Sequence, residues 1–444
     1  MKNHLKKILA LGLSLQVGLL NSTAFTQTAN SLSFQITPQN NQAIKCLILC
    51  IGDNKDIEHI ANMVKFDLEF TDQLAVDVKK YSEHLTPDLQ KKLFEQLNVS
   101  LCLQCSPSKN NKTVEIELKD SFSEKSLITT DYLLENKNIV HTAHKISEDI
   151  LPKLTGNSSI SLSTLAFCKQ VDAHNKRIFV ADYSCKKERC VTGLPRLNVA
   201  PRWHSTLPQL FFSQLTRSNG RLMMCNVKTN AFSVVCSYDG LNMQPAFSPT
   251  GNKVVLCLSA RNGNSELYLY DQNLCKKAGK RVYVPLTNNG GNNTSPCIMP
   301  DGDVVFCSDF QTGLPQLYHL DMKKKKVHRL TNGAGYCAAP SYCEKTNSII
   351  YIKPANNIFQ LWAIDLDEER VLEKQLTFGP GDKLDPAISP CGNYVAFTYD
   401  YVNEQKKRIP QIASLNLASK KIRILTHDTY PKSFPTWTSG TYYQ

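Results

Sequence analysis

The sequence predicts an all-β six-bladed β-propeller over residues 162–444, preceded by a small α/β (α+β) domain over residues 43–156. Three recurring features carry the propeller. A strand ending on Asp or Asn returns as Arg177–Asp182, Arg221–Asn226, Glu266–Asp271, Gln316–Asp321, Gln360–Asp365 and Gln411–Asn416. A proline opens each unit at Pro201, Pro245, Pro296, Pro340, Pro386 and Pro435, with Trp203, Phe247, Ile298, Tyr342, Ile388 and Trp437 two residues later. A Leu-Thr pair closes four units, at Leu286-Thr287, Leu330-Thr331, Leu376-Thr377 and Leu425-Thr426. A fixed period of about 45 residues marks a radial or stacked array, not an ordinary globular core.

Each unit reads as four short strands, because β-branched and aromatic runs alternate with Gly, Pro, Asn and Asp clusters. In the clearest copy these are Ala246–Ser248, Lys253–Ser259, Glu266–Tyr270 and Val282–Leu286. Ser248-Pro-Thr-Gly251 between the first two is turn chemistry, with Pro presetting φ and Gly taking φ > 0; Ser389-Pro-Cys-Gly392 and Pro300-Asp-Gly302 repeat it. Four antiparallel strands per repeat is the arithmetic of a propeller blade. The final segment Phe434–Ser439 supplies only a first strand, for which Thr164–Gln170, Arg177–Tyr183 and Cys190–Leu194 are the missing partners.

From the start of the chain, residues 1–24 read as an export signal: Lys2, Lys6 and Lys7 precede the apolar run Ile8–Leu20, and Ser22-Thr-Ala24 offers a small-residue cleavage site. The apolar run is too short to span a bilayer, so the mature chain is expected to be exported and soluble, peripheral to membranes and not inserted. Removing the signal takes three charges from a net +12, a mild balance for this length that gives nucleic-acid binding little support.

Residues 25–42 read as a flexible segment. Within it Leu32, Phe34 and Ile36 alternate with polar residues up to Thr37; Leu32–Thr37 is a strand for a sheet edge, in a partner or in its own domain. The small domain follows the order βαβαβββα, with strands at Ala43–Ile51, Ala75–Tyr81, Val99–Cys105, Thr113–Lys119 and Ser126–Leu133. Ile57, Ile60, Ala61, Val64 and Leu68 share one face of a helix over Asp56–Thr71. Thr86 and Pro87 open a second helix, and Gly156 ends a third over Asn138–Leu154.

Sixteen cysteines in an exported chain permit disulfides. The repeat argues that Cys168, Cys257 and Cys307, at one slot of the second strand where Thr398 stands in another blade, are small buried residues. Cys185 with Cys190, and Cys225 with Cys236, are close enough to bridge neighbouring strands. Cys102 and Cys105 form a C-x-x-C that could serve redox or zinc chemistry, but they lie in a strand with no second pair at ligand spacing. His141 and His144 share a helix face with no third ligand in view, which favours packing or surface roles over metal. Lys323–Lys326 reads as a solvated turn tip.

The export signal, the small α/β domain and the six-fold P-x-aromatic, Y-x-x-D, L-T array together resemble the TolB family of the Gram-negative Tol–Pal envelope system. More specific are Leu32-Ser-Phe-Gln-Ile-Thr37, Asn292-Asn-Thr294 before a blade proline, and the ending Ser433-Phe-Pro-Thr-Trp437. The chain departs from the pattern at Cys343-Glu-Lys-Thr346, which replaces S-P-x-G, and at Ser295, where better-known members carry Glu.

The resemblance implies a non-catalytic scaffold located in the periplasm, without cofactor or metal. It implies that the propeller receives a peptidoglycan-associated lipoprotein (Pal) and that the N-terminal segment engages a TolA-like inner-membrane protein. The residues just before the blade prolines, Val199, Gln244, Thr294, Ser295, Ala339, Asp385 and Phe434, are then the expected propeller mouth, opposite a face where turns between third and fourth strands carry Lys276, Lys277, Lys323–Lys326, Lys420 and Lys421 as a charged, mobile rim. No nucleophile elbow, H-E-x-x-H or EF-hand loop occurs. The competing reading is a propeller hydrolase or lyase with its site at the central channel.

Overall fold

The structure, a computed structural model, describes residues 43–134, 138–193, 196–217, 219–259, 263–333, 335–367, 372–400, 402 and 406–443. The export signal and the segment carrying Leu32, Phe34, Ile36 and Thr37 lie outside the described residues.

The N-terminal α/β region runs β1 (Ile44–Ile51), α1 (Lys55–Phe70), β2 (Leu74–Tyr81), α2 (Pro87–Leu97), β3 (Leu101–Pro107), β4 (Thr113–Asp120), β5 (Ser126–Leu133) and α3 (Ile139–Thr155). Its sheet has the order β2-β1-β3-β4-β5, with β1 parallel to β2 and β3. β1 is central and covered on both faces, which is why it reads as an unbroken apolar run. α1 and α3 cover one face and α2 the other.

Cys102 and Cys105 fall on opposite faces of the sheet, Cys102 with Phe94 and Cys105 with Cys46 and Cys50. Side chains three apart on a strand point away from each other, so the C-x-x-C is not a ligand or redox pair. Burial pushes the Cys102 thiol up to about 12 and Cys105 further up. All sixteen cysteines are free thiols, including the two pairs that proximity alone left open to bridging.

The rest of the chain forms a β-propeller. Four of its sheets have four antiparallel strands each, the first being Asn242–Phe247, Lys253–Leu258, Glu266–Asp271 and Tyr283–Pro285. An eight-stranded sheet holds the remainder, and within it Asn175–Asp182 and Leu197–Trp203 meet only through the pair Lys176↔Leu197. In the same sheet the C-terminal strand Lys432–Thr438 pairs with Thr164–Asp172, joining the two ends of the propeller. The clasp continues beyond the strand: Thr164 Oγ1 donates to Gly440 O at 2.6 Å and accepts from Tyr442 N at 2.8 Å.

The repeated residues have repeated structural work. Asp or Asn at the end of each third strand caps the turn that follows: Asp321 Oδ1 accepts from Lys323 N and Lys324 N, and Asn416 Oδ1 from Ala418 N and Ser419 N. The Thr of Leu-Thr accepts the backbone N–H of the third strand's second residue. In three of the four it also donates to the Glu or Gln one residue earlier (Glu266, Gln316, Gln360), as with Thr377 Oγ1 on Leu361 N (2.9 Å) and Gln360 Oε1 (2.8 Å). Where Cys343-Glu-Lys-Thr346 replaces S-P-x-G, a short 3-10 turn ends on Asn347 with φ +39, so Asn supplies the left-handed residue that Gly392 supplies elsewhere.

Three expectations need correction. The first strands begin before the proline and not after it, Asn242–Phe247 starting three residues ahead of Pro245. Lys276 and Lys277 lie on a short helix, Gln272–Ala278, capped by Asp271, and not on a turn. Lys421 is not on a free rim, because its Nζ lies 3.4 Å from Asp72 of the α/β region.

The α/β region seats on the turns between first and second and between third and fourth strands. Arg423 donates to Phe70 O and Glu69 O at 2.7 Å and pairs with Asp72, and Phe70 packs edge-on to Tyr183 at 5.0 Å. At the centre His144 is fully buried between two carboxylates, with Nδ1 2.8 Å from Asp67 Oδ2 and Nε2 3.4 Å from Asp182 Oδ2, the latter an ion-pair contact and not a well-aimed hydrogen bond. Tyr183 donates to the other Asp67 oxygen at 2.6 Å. Burial alone would lower the His144 pKa, but Asp67 and Asp182 override it and raise it to about 9.

Deleting residues 433–444 removes most of the closing strand and opens a sheet edge; calorimetry should show the propeller transition displaced well below that of the intact chain. His144→Ala strands two buried carboxylates and should destabilise by about 3–5 kcal/mol. Because the folded pKa is raised, the charge-dependent part of that gap is full below the ordinary value of 6.5 and closes as pH rises through about 9, which melting curves of both proteins across that range would show.

Candidate functional site: the central cavity

Every first strand is bulged at one place. Its pairing with the second strand skips between Met243 and Ala246, Thr294 and Cys297, Ala338 and Ser341, Leu384 and Ala387, and Ser433 and Thr436. The strand Leu197–Trp203 skips likewise between Val199 and Arg202. Two residues therefore face one, and the second of the two is always the repeat proline. A bulge is where a strand tolerates the missing N–H of Pro. The residue before it has left-handed φ in all six copies: Ala200 +52°, Gln244 +53°, Ser295 +50°, Ala339 +53°, Asp385 +53° and Phe434 +55°. A non-glycine residue there is strained by about 1–3 kcal/mol, and the strain recurs around one opening.

That opening is a cavity of about 530 Å³ lined by the first strands. Gln244, Thr294, Ser295, Ala339, Asp385 and Phe434 all border it, whereas Val199 does not. Val199 shares its register with Thr294, and Ala200 with the other pre-proline residues, yet neither borders the cavity; their strand reaches it through Arg202 and Trp203. Sequence reasoning overlooked Arg202 because no other copy carries a charge one place after the proline. Trp203, Tyr336 and Trp437 add aromatic surface.

The polar pre-proline side chains also tie neighbouring sheets together. Gln244 Oε1 accepts Ser295 N of the next sheet at 2.9 Å and lies 3.9 Å from Cys257 Sγ. Asp385 repeats the arrangement: its Oδ2 accepts Thr398 Oγ1 at 2.8 Å and is 3.4 Å from Phe434 N. Cys257 and Thr398 occupy the same second-strand slot, so its polarity as well as its size is used. Burial raises the Asp385 pKa against the opposing pull of Thr398 and Arg202, and burial lowers that of Arg202 while Asp385 opposes. The cavity thus holds one cationic and one anionic group among neutral polar and aromatic ones. Its Thr294 end lies at the strand starts, opposite the turns that seat the α/β region.

A sequence profile described as TolB beta propeller domain matches residues 151–441. The chain belongs to the TolB β-propeller family. Among curated relatives, the Tol-Pal system protein TolB of Francisella tularensis subsp. tularensis FSC 198 is 25% identical over 366 residues, covering 80% of this chain and 82% of that one. The holarctica OSU18 protein of the same name gives the same identity and coverage. A crystal structure of TolB from Acinetobacter baumannii superposes with a TM-score of 0.74 at 21% identity, over 89% of this chain and 96% of that one, a likeness of fold. This family membership bears on the whole ring of bulged strands and therefore on the cavity they enclose.

Gln244→Leu leaves Ser295 N–H without its acceptor, and the expected destabilisation is about 1–3 kcal/mol, read from denaturant unfolding; a neutral result would mean Gln244 is free for a partner.

Proposed function

We propose that this chain is a non-catalytic periplasmic scaffold of a Tol–Pal-type envelope complex, built on a six-bladed propeller in which the eight-stranded sheet counts as two blades. The propeller receives a peptidoglycan-associated lipoprotein at the Thr294 end of the cavity, with Gln244, Ser295, Ala339, Asp385 and Phe434 around the mouth. The N-terminal segment Leu32–Thr37 engages a TolA-like inner-membrane protein, so that the chain links the two membranes for outer-membrane integrity and cell division.

Membership of the TolB family is the observation that carries this reading, and the relatives' name, Tol-Pal system protein, supplies the system. The cavity supports it in two ways. Its lining mixes apolar, neutral polar and charged groups, as a non-obligate interface does. Its backbone is held in one unfavourable conformation by hydrogen bonds between sheets, which presents a preorganised surface. Among the described residues no helix is long and apolar enough to cross a membrane.

Charge insertion at the mouth discriminates. Thr294→Arg should weaken binding of the lipoprotein by more than about 2 kcal/mol, whereas neutralising Lys323–Lys326 should leave it nearly unchanged, both by calorimetry at one salt concentration. The reverse ranking would move the binding face to the lysine turns and sink the assignment.

A further inference from the structure

A second cleft, of about 490 Å³, lies between the sheet of Gln316–Asp321 and the next sheet and shares no lining residue with the central cavity. His319 and His328 face each other across its floor as a directly opposed cross-strand pair. Their Nδ1 atoms are 3.4 Å apart and their ring centroids 4.6 Å apart, inclined at 60°. Asp301, Asp303, Tyr342, Asn347 and Asp365 line the walls.

Asp303 decides what this pair can do. Its Oδ2 lies 3.0 Å from His319 Nε2, and its Oδ1 accepts Met322 N at 3.0 Å, so the carboxylate is held in place. A carboxylate only accepts, so Nε2 carries the proton and Nδ1 aims its lone pair at His328. A separation of 3.4 Å is long for a nitrogen–nitrogen hydrogen bond. It matches the roughly 3.3 Å between two imidazole nitrogens bound at 2.0–2.1 Å on one tetrahedral ion.

We propose that His319 Nδ1 and His328 Nδ1 form a bidentate site for a divalent transition-metal ion of the zinc and copper class, with Asp303 orienting His319 from behind. Carboxylate, histidine and metal in line is the usual way a protein fixes a ligand's tautomer. Imidazole pairs select zinc or copper over magnesium or calcium, which prefer oxygen. Among the described residues no three His, Cys, Asp or Glu side chains converge on a metal position, so this ion keeps water in its remaining positions, on the open side where His328 is exposed.

The test is calorimetric titration of the untagged mature chain with zinc chloride, with magnesium chloride as control. Electron paramagnetic resonance of the copper(II)-loaded protein follows. We expect one zinc per chain, no magnesium binding and a two-nitrogen copper signal. His319→Gln and His328→Gln should each abolish zinc binding and the two-nitrogen signal. Asp303→Asn should weaken zinc about 10–100-fold while leaving both nitrogens on copper. His328 is exposed, so its variant should fold as the parent does, and matched melting curves check this. Absence of zinc binding by the parent chain, or retention of it in the His328→Gln protein, would overturn the proposal.

Discussion

The β-bulge at each repeat proline is the constraint on which the propeller depends. A first strand must pair with its second strand, carry a proline that cannot donate, and present backbone to the central cavity. Placing the proline as the second bulge residue meets all three demands, at the cost of a left-handed residue before it in every copy. The strain is tolerated because the neighbouring sheet supplies hydrogen bonds that over-determine the geometry, as with Gln244 on Ser295 N and Asp385 near Phe434 N. The cavity is therefore rigid at its rim through the same contacts that hold adjacent sheets in register.

This double use changes how the rim residues should be weighed. Gln244 and Asp385 are engaged within the fold, so their exposed surface is a by-product of an internal task. Thr294 borders the cavity without such a bond to the next sheet among the described contacts, and Arg202 brings a cation that has no copy in other sheets. Under the proposed function, specificity for a partner rests more on these two than on the residues that repeat.

The α/β region is joined to the propeller by charge as well as by apolar packing. Asp67, His144 and Asp182 come from α1, α3 and the strand Asn175–Asp182, so burying any one without the others would leave an uncompensated charge. Asp72, with Arg423 and Lys421, adds a second set nearer the surface. The two parts thus have a defined mutual orientation, with the start of the α/β region and the cavity mouth on different sides of the propeller. The lysine-bearing turns are divided accordingly, some serving the junction and others remaining in solvent.

The repeat, the strand order of each unit, the α/β element order and the place of the closing strand were legible in the sequence because each has a local signature. Prolines, Asx caps, Leu-Thr pairs and apolar periodicity all act on their own segment of chain. What tertiary structure alone decided is every relation between segments distant along it. That the strand of Val199 would enter the cavity through Arg202 and Trp203 instead waited on how the sheets pack. His144 looked like one of a helix-face pair, and only the approach of Asp67 and Asp182 made it a buried ion. Cys102 and Cys105 looked like a motif until the sheet put them on opposite faces. The pairing of His319 with His328, nine positions apart on adjacent strands, likewise waited on the hairpin between them. Local pattern determines which elements form, because backbone preference and burial period act over a few residues; which side chains meet is set by packing, where a shift of one residue turns a side chain from one face to the other.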